Sequence, residues 1–181
     1  AHSPRYAFIM KIHIQNNHIT NHSFHQEIIQ VSHNFVYEEE LLLSHPDYCL
    51  LFQVVQQLSS SVKNSHDIVS FLMVHLNQTC GQMLLKEKQG IFCTHDQITQ
   101  NDNLDIQTIL QWKYSNSKYF DISCINDDEN KNNIFTQISS PIRRVVDIIN
   151  QMSFIKHVMK YELSTESDIF YQHWMTQIDF I

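Results

Sequence analysis

The sequence predicts an α+β chain, with mixed helices packed on an antiparallel sheet. Three observations predict it. Near the start, Tyr6, Phe8, Met10, Ile12 and Ile14 alternate with Ala7, Ile9, Lys11 and His13, the period of two of a half-buried strand. Later stretches repeat apolar residues every three or four positions, which is helical. Of the 181 residues 43% are hydrophobic and 17% charged, the balance of a folded chain with a core.

Taken in order, the first strand is followed by Asn16-Asn17, a turn pair, and by a returning strand over Ile19 to Gln30. A helix is expected from Asp47 to Ser60, preceded by Pro46, with Leu50, Leu51, Val54, Val55 and Leu58 on one stripe. A longer helix runs from about His66 to Lys88, its apolar face carrying Ile68, Phe71, Leu72, His75, Leu76, Cys80, Met83 and Leu84, and Gly90 is its expected stop. Leu104 to Trp112 reads as a helix, and Tyr119 to Ile125 as a short strand within a polar, acidic loop. A long helix is expected from Pro141 to about Tyr161, and a last one opens at Ser164 with Ile169, Phe170, Trp174 and Ile178 as its stripe.

Composition removes several function classes. Two glycines, Gly81 and Gly90, cannot build a glycine-rich phosphate loop, and Asn or Asp must serve where a turn needs positive φ. A net charge of −7 argues against a generally basic nucleic-acid binder. Between Phe135 and Tyr161, however, Arg143, Arg144, Lys156 and Lys160 face Asp147 alone. Neither a signal peptide nor an apolar run long enough to span a membrane is visible, and Cys49, Cys80, Cys93 and Cys124 form no CxxC pair. Reduced thiols in an intracellular, cytoplasmic protein are therefore expected. Zinc held by His75, Cys80, Cys93 and His95 would fit no compact finger spacing. His18, His22 and His25 mix parities along their strand, so solvated histidines outweigh a metal site there.

The chemistry concentrates in Phe135-Thr136-Gln137-Ile138-Ser139-Ser140-Pro141-Ile142-Arg143-Arg144-Val145-Val146-Asp147. Pro141 stands where a first helical residue belongs, and Ser139 or Ser140 where an N-cap does. A helix start, two hydroxyls and two arginines form an anion grip, since all three favour phosphate oxygens. Two solvated arginines on an ordinary Ser-Pro helix start are the competing reading. First-turn arginines oppose the helix dipole unless an acidic partner or an anion offsets them.

This stretch resembles the Thr-Ser-Pro-Ile-Arg-Arg-Tyr-x-Asp signature of the ribonuclease II/R (RNB) family. Four segments match in order. Besides the signature, they are the Arg-led strand and hairpin running to Phe35-Val36-Tyr37-Glu38-Glu39, the helix holding Met73 and Asn77, and the Ile91 strand ending in His95-Asp96. The chain departs from the family at Ser70 and Phe71, where acidic residues stand, at Cys93 in place of an arginine, at Val145 in place of the tyrosine, and at Gln151-Met152 in place of His-Arg. The resemblance implies residues 1–181 to be the C-terminal part of an RNB catalytic domain. It implies hydrolysis of single-stranded RNA from the 3′ end to nucleoside monophosphates, with Arg143 as the catalytic arginine. RNA contacts are implied from Arg144, Ser139, Ser140, Thr136, Phe24, Asn77 and His95, core packing being an equal alternative for Phe24. The family's cofactor is Mg2+, but its aspartate cluster has no counterpart here, so no metal ligand is assigned and the chain alone is expected to be inactive. The chain opens on a strand pattern and closes inside a helical one, as a fragment would. The alternatives are a catalytically inactive RNB-like module binding RNA or protein, and an unrelated helix-rich interaction domain.

Overall fold

A computed structural model of the chain describes residues 3–94, 118–120, 122 and 135–178. It is α+β, with helices and two antiparallel sheets, and it divides into two compact units, Ala1–Leu72 and Met73–Ile181.

The first unit opens with a hairpin. Strand β1 (Arg5–Gln15) pairs antiparallel with β2 (His18–Ile29), Tyr6 opposite Ile28 and Met10 opposite Phe24, with a register shift at His13/Ile14. Asn16 and Asn17 both take positive φ, 51° and 60°, the turn that matches strand twist and that asparagine tolerates. Phe8 and Phe24 stack at 5.8 Å between ring centres, and Lys11 bonds Glu27 at 2.7 Å. A short helix α1 (Glu40–Leu43) leads to α2 (Pro46–Leu58). Pro46 is the first helical residue rather than a preceding one; its missing N–H would have no partner there. Val55, Val62 and Ile68 form the core of this unit, covered by Tyr48, Phe52, Phe71 and Leu72. Helix α3 (Ser65–Lys86) starts under Glu38, whose carboxylate accepts the Ser65 N–H at 2.7 Å, while Tyr37 stacks on His66 at 3.7 Å. The Glu38 carboxyl sits below its usual pKa because Ser65 donates to it.

In the second unit α3 ends earlier than Gly90 suggests. Gln89 N–H reaches Leu84 C=O and Lys88 N–H reaches Leu85 C=O, a Schellman closure with Lys88, at φ 56°, in the left-handed place glycine usually takes. Gly90 serves a different purpose. At φ 101° it brings the chain so near Leu84 and Asn150 that a Cβ would lie 3.1 Å from Leu84 Cδ1. A three-stranded sheet follows, β3 (Phe92–Thr94) lying between β4 (Lys118–Phe120) and β5 (Phe135–Thr136). Strand β5 has two residues, too few to show a period, so the sequence reading missed it. Gly81 lets α3 approach it: a Cβ there would meet Thr136 N at 3.1 Å.

The long helix expected from Pro141 is corrected at both ends. Helix α4 (Val145–Ser153) begins four residues later, and Phe154–Val158 continues it as a π-helical turn. Helix α5 (Thr165–Met175) starts as expected, Ser164 accepting the Ser167 N–H at 3.2 Å. Ile91, Val146, Ile149 and Tyr171 form the core of this unit. The helix expected over Leu104 to Trp112 lies outside the described residues.

Candidate nucleic-acid interface

Residues 139–147 do not begin a helix at Pro141. Ser140 C=O accepts both the Arg143 N–H at 3.2 Å and the Arg144 N–H at 3.3 Å, which closes a single turn. Proline presets the backbone of the second residue of such a turn. Arg144 then goes extended (φ −132°, ψ 125°) as the N-cap of α4. The turn competes with the helix and wins because Ser140 is held from outside it, by Asp147.

Asp147 is fully buried, yet its charge is satisfied three times. Its carboxylate accepts the Ser140 N–H at 2.6 Å, Arg144 Nε at 2.6 Å and Arg144 Nη2 at 2.8 Å. A forked guanidinium–carboxylate pair at a helix start is a strong, directional contact. Burial works against the Arg144 charge, but the Asp147 bonds and charge outweigh it and raise its pKa. The anion in the expected grip is therefore the chain's own carboxylate, and Arg144 spends its fork on it.

The clamp leaves the tip of the turn outside. Ile142 is fully exposed, at 101%, and Arg143 is exposed beside it. Among the described residues no carboxylate pairs with the Arg143 guanidinium. Beneath the turn the polar groups point inward. Thr136 Oγ1 donates to Ile91 C=O at 2.8 Å, and Asn77 Oδ1 accepts the Ile138 N–H at 3.3 Å, both residues being buried. These two candidates for RNA contact are bracing groups in this geometry. The Ser139 Oγ is inaccessible and, among the described residues, has no hydrogen-bond partner. Ser140 contributes its backbone to the clamp.

Asn150, which the sequence reading did not single out, fixes this arrangement. It is fully buried, accepts the Ile91 N–H at 2.8 Å, and donates to Ile91 C=O and Gln137 C=O at 2.9 Å each. Gln151 donates to Ile138 C=O at 2.8 Å. Helix α4 thereby holds both the strand before the turn and the residue entering β3. The only sequence signal for this would have been a polar residue inside an apolar helical stripe.

Cys93 is buried, and its thiol is pushed up to about 12 by that burial. It is a structural thiol and no nucleophile. Phe24 belongs to the first unit, half-buried against Phe8. His95 lies outside the described residues. Among the described residues no three His, Cys, Asp or Glu side chains converge on a point that could hold a metal ion. Asp147, the one carboxylate of the motif, is taken up by Arg144 and Ser140.

The arrangement thus offers one guanidinium on a rigid, internally neutralised turn. Set against family models, characterised proteins and solved structures, the chain matches none, so the geometry of this turn and the resemblance of its sequence are what any functional reading rests on.

Proposed function

We propose that this chain is part of a 3′→5′ exoribonuclease of the ribonuclease II/R kind, intracellular and acting with magnesium on single-stranded RNA to release nucleoside monophosphates. Its contribution is the arginine side of the site. The observation that carries the reading is the division of labour between neighbouring arginines: Arg144 is held by Asp147, whereas Arg143 stands exposed at the tip of the turn that this pair clamps. A guanidinium presents two parallel N–H donors to phosphate oxygens. Carried on a clamped turn, it can stabilise charge that grows on those oxygens during hydrolysis. The metal ligands would come from residues other than those described. A catalytically inactive module that binds RNA or protein is the second reading, favoured by the absence of a carboxylate cluster among the described residues.

The test is the complete protein on RNA with an exposed 3′ end, with magnesium and with chelator. Magnesium-dependent mononucleotide release is expected. Arg143→Ala should lower kcat by about 10²–10³, while RNA affinity falls by less than about tenfold. Unchanged turnover in that variant would remove Arg143 from the reaction. Salt-sensitive RNA binding with no release would select the inactive-module reading.

A further inference from the structure

Helix α2 carries two apolar stripes where a surface helix needs one. The stripe expected from its sequence is Leu50, Leu51, Val54, Val55 and Leu58. In the structure Tyr48, Phe52 and Val55, spaced four and three apart, face the core of the first unit with Val62 and Ile68. Leu50 and Leu51 are left 62% and 41% exposed, and Val54 and Leu58, on the same side as these leucines, are half-buried. Of the 13 residues of α2, Val55 alone is buried. A helix apolar over so wide an arc ordinarily has neighbours on both sides.

The uncovered stripe is also free of charge. No charged residue lies between Tyr48 and Val62, and Gln53 and Gln57 border the leucines at helical spacing. Charge stands at the two ends. Asp47 opens the helix with its side chain 93% exposed, and its ion-pair partner, His45 Nδ1, is 4.0 Å away, beyond hydrogen-bond reach. Lys63 follows the helix, exposed, and gives its backbone N–H to Asp67. Among the described residues no carboxylate pairs with the Lys63 ammonium.

We propose that α2 is a self-association surface, on which a second copy of this chain packs its own α2 antiparallel about a twofold axis, leucines 50 and 51 against their counterparts. A partner with a charged face would leave its charges unpaired on this stripe. A twofold copy presents the same uncharged stripe in return. Antiparallel packing sets opposite helix-dipole ends side by side and brings Asp47 of each copy to the end where the other's Lys63 stands. The helix is about 20 Å long. Its face falls short of the about 800 Å² per partner of a standard interface, so the dimer is weak and depends on concentration. The proposal does not rest on the exonuclease reading.

The test is sedimentation equilibrium of the complete protein over about 1–500 µM, where a monomer–dimer equilibrium with Kd of about 10–100 µM is expected. Leu50→Asp, at an exposed position, should weaken it at least about tenfold, and Ile169→Asp, at an equally exposed apolar position outside α2, should leave it unchanged. Asp47→Lys and Lys63→Glu should each weaken the dimer about threefold, and together restore it to within about twofold. That restoration reads the antiparallel arrangement itself. Amide shifts of the unaltered protein on raising its concentration, followed by NMR, should centre on residues 47–63 and serve as the check if a variant fails to fold. The proposal is overturned by a monomer at the top of the range, by a Leu50→Asp dimer as tight as the unaltered one, by a double charge swap no tighter than the single ones, or by shifts centred elsewhere.

Discussion

Replacing Asp147 by Asn keeps the shape of the side chain and removes its charge. The carboxylate takes three donors at 2.6, 2.6 and 2.8 Å from a position with no solvent access. An amide offers one acceptor oxygen and turns an NH2 group toward donors. The two bonds from Arg144 are charge-assisted, worth about 1.5–3 kcal/mol each. Breaking a buried pair by removing one partner costs about 3–5 kcal/mol. The Arg144 side chain is 28% exposed, so water recovers part of its solvation and the lower end applies, about 3 kcal/mol. Urea unfolding should show that loss at unchanged slope. In a cycle with Arg144→Ala, the two positions should couple by about 2 kcal/mol, within the range for residues in direct contact. RNA turnover should fall in Asp147→Asn although Arg143 is intact, because the turn that aims it is no longer held. A loss under about 1 kcal/mol, or a coupling near zero, would refute the claim that this pair anchors the turn.

Lys88→Gly should stabilise the protein by about 0.5–1 kcal/mol, because the left-handed closure of α3 penalises a side chain. Gly90→Ala should do the opposite by more than about 1 kcal/mol, through its positive φ and the 3.1 Å approach to Leu84. Thermal melts of the two variants check both, and equal midpoints would dismiss the backbone argument. Burial, Lys156 and Lys160 depress the His157 pKa, so the unfolded chain takes up that proton first as pH falls. Its contribution is present above the ordinary histidine value of about 6.5 and is lost below it. Glu87 and Asp168 moderate the shift. His157→Gln should therefore flatten part of the fall in stability between about pH 7 and pH 5, and an identical slope in both proteins would contradict this.

Elements whose signals are local were legible from the chain. The hairpin followed from a period-two pattern and an Asn-Asn pair, and Ser164 capped α5 because an N-cap serine needs only the N–H three residues on. Positive φ was harder to place. With two glycines available, Glu38, Lys88 and Lys160 adopt it as well as Asn16 and Asn17, and nothing local marks a lysine for that purpose. The end of α3 was assigned to Gly90 because glycine is the usual left-handed cap, whereas the hydrogen bonds close over Lys88.

The signature stretch shows the same limit at the site itself. Spacing alone put Arg144 and Asp147 three apart, near enough to pair, but an exposed pair of that kind is worth a few tenths of a kcal/mol and would yield to a phosphate. Burial changes the outcome. Thr136, Asn77 and Asn150 pull the neighbouring backbone inward through bonds to residues 45, 61 and 59 positions away, and Asp147 goes with it. Once the carboxylate is out of water, giving up Arg144 would strand a charge, so the pair holds and the next arginine out is left for a ligand. A reading that treats the two arginines as equivalent therefore assigns to a phosphate what the core has already taken, and only the long-range polar contacts reveal which arginine is which.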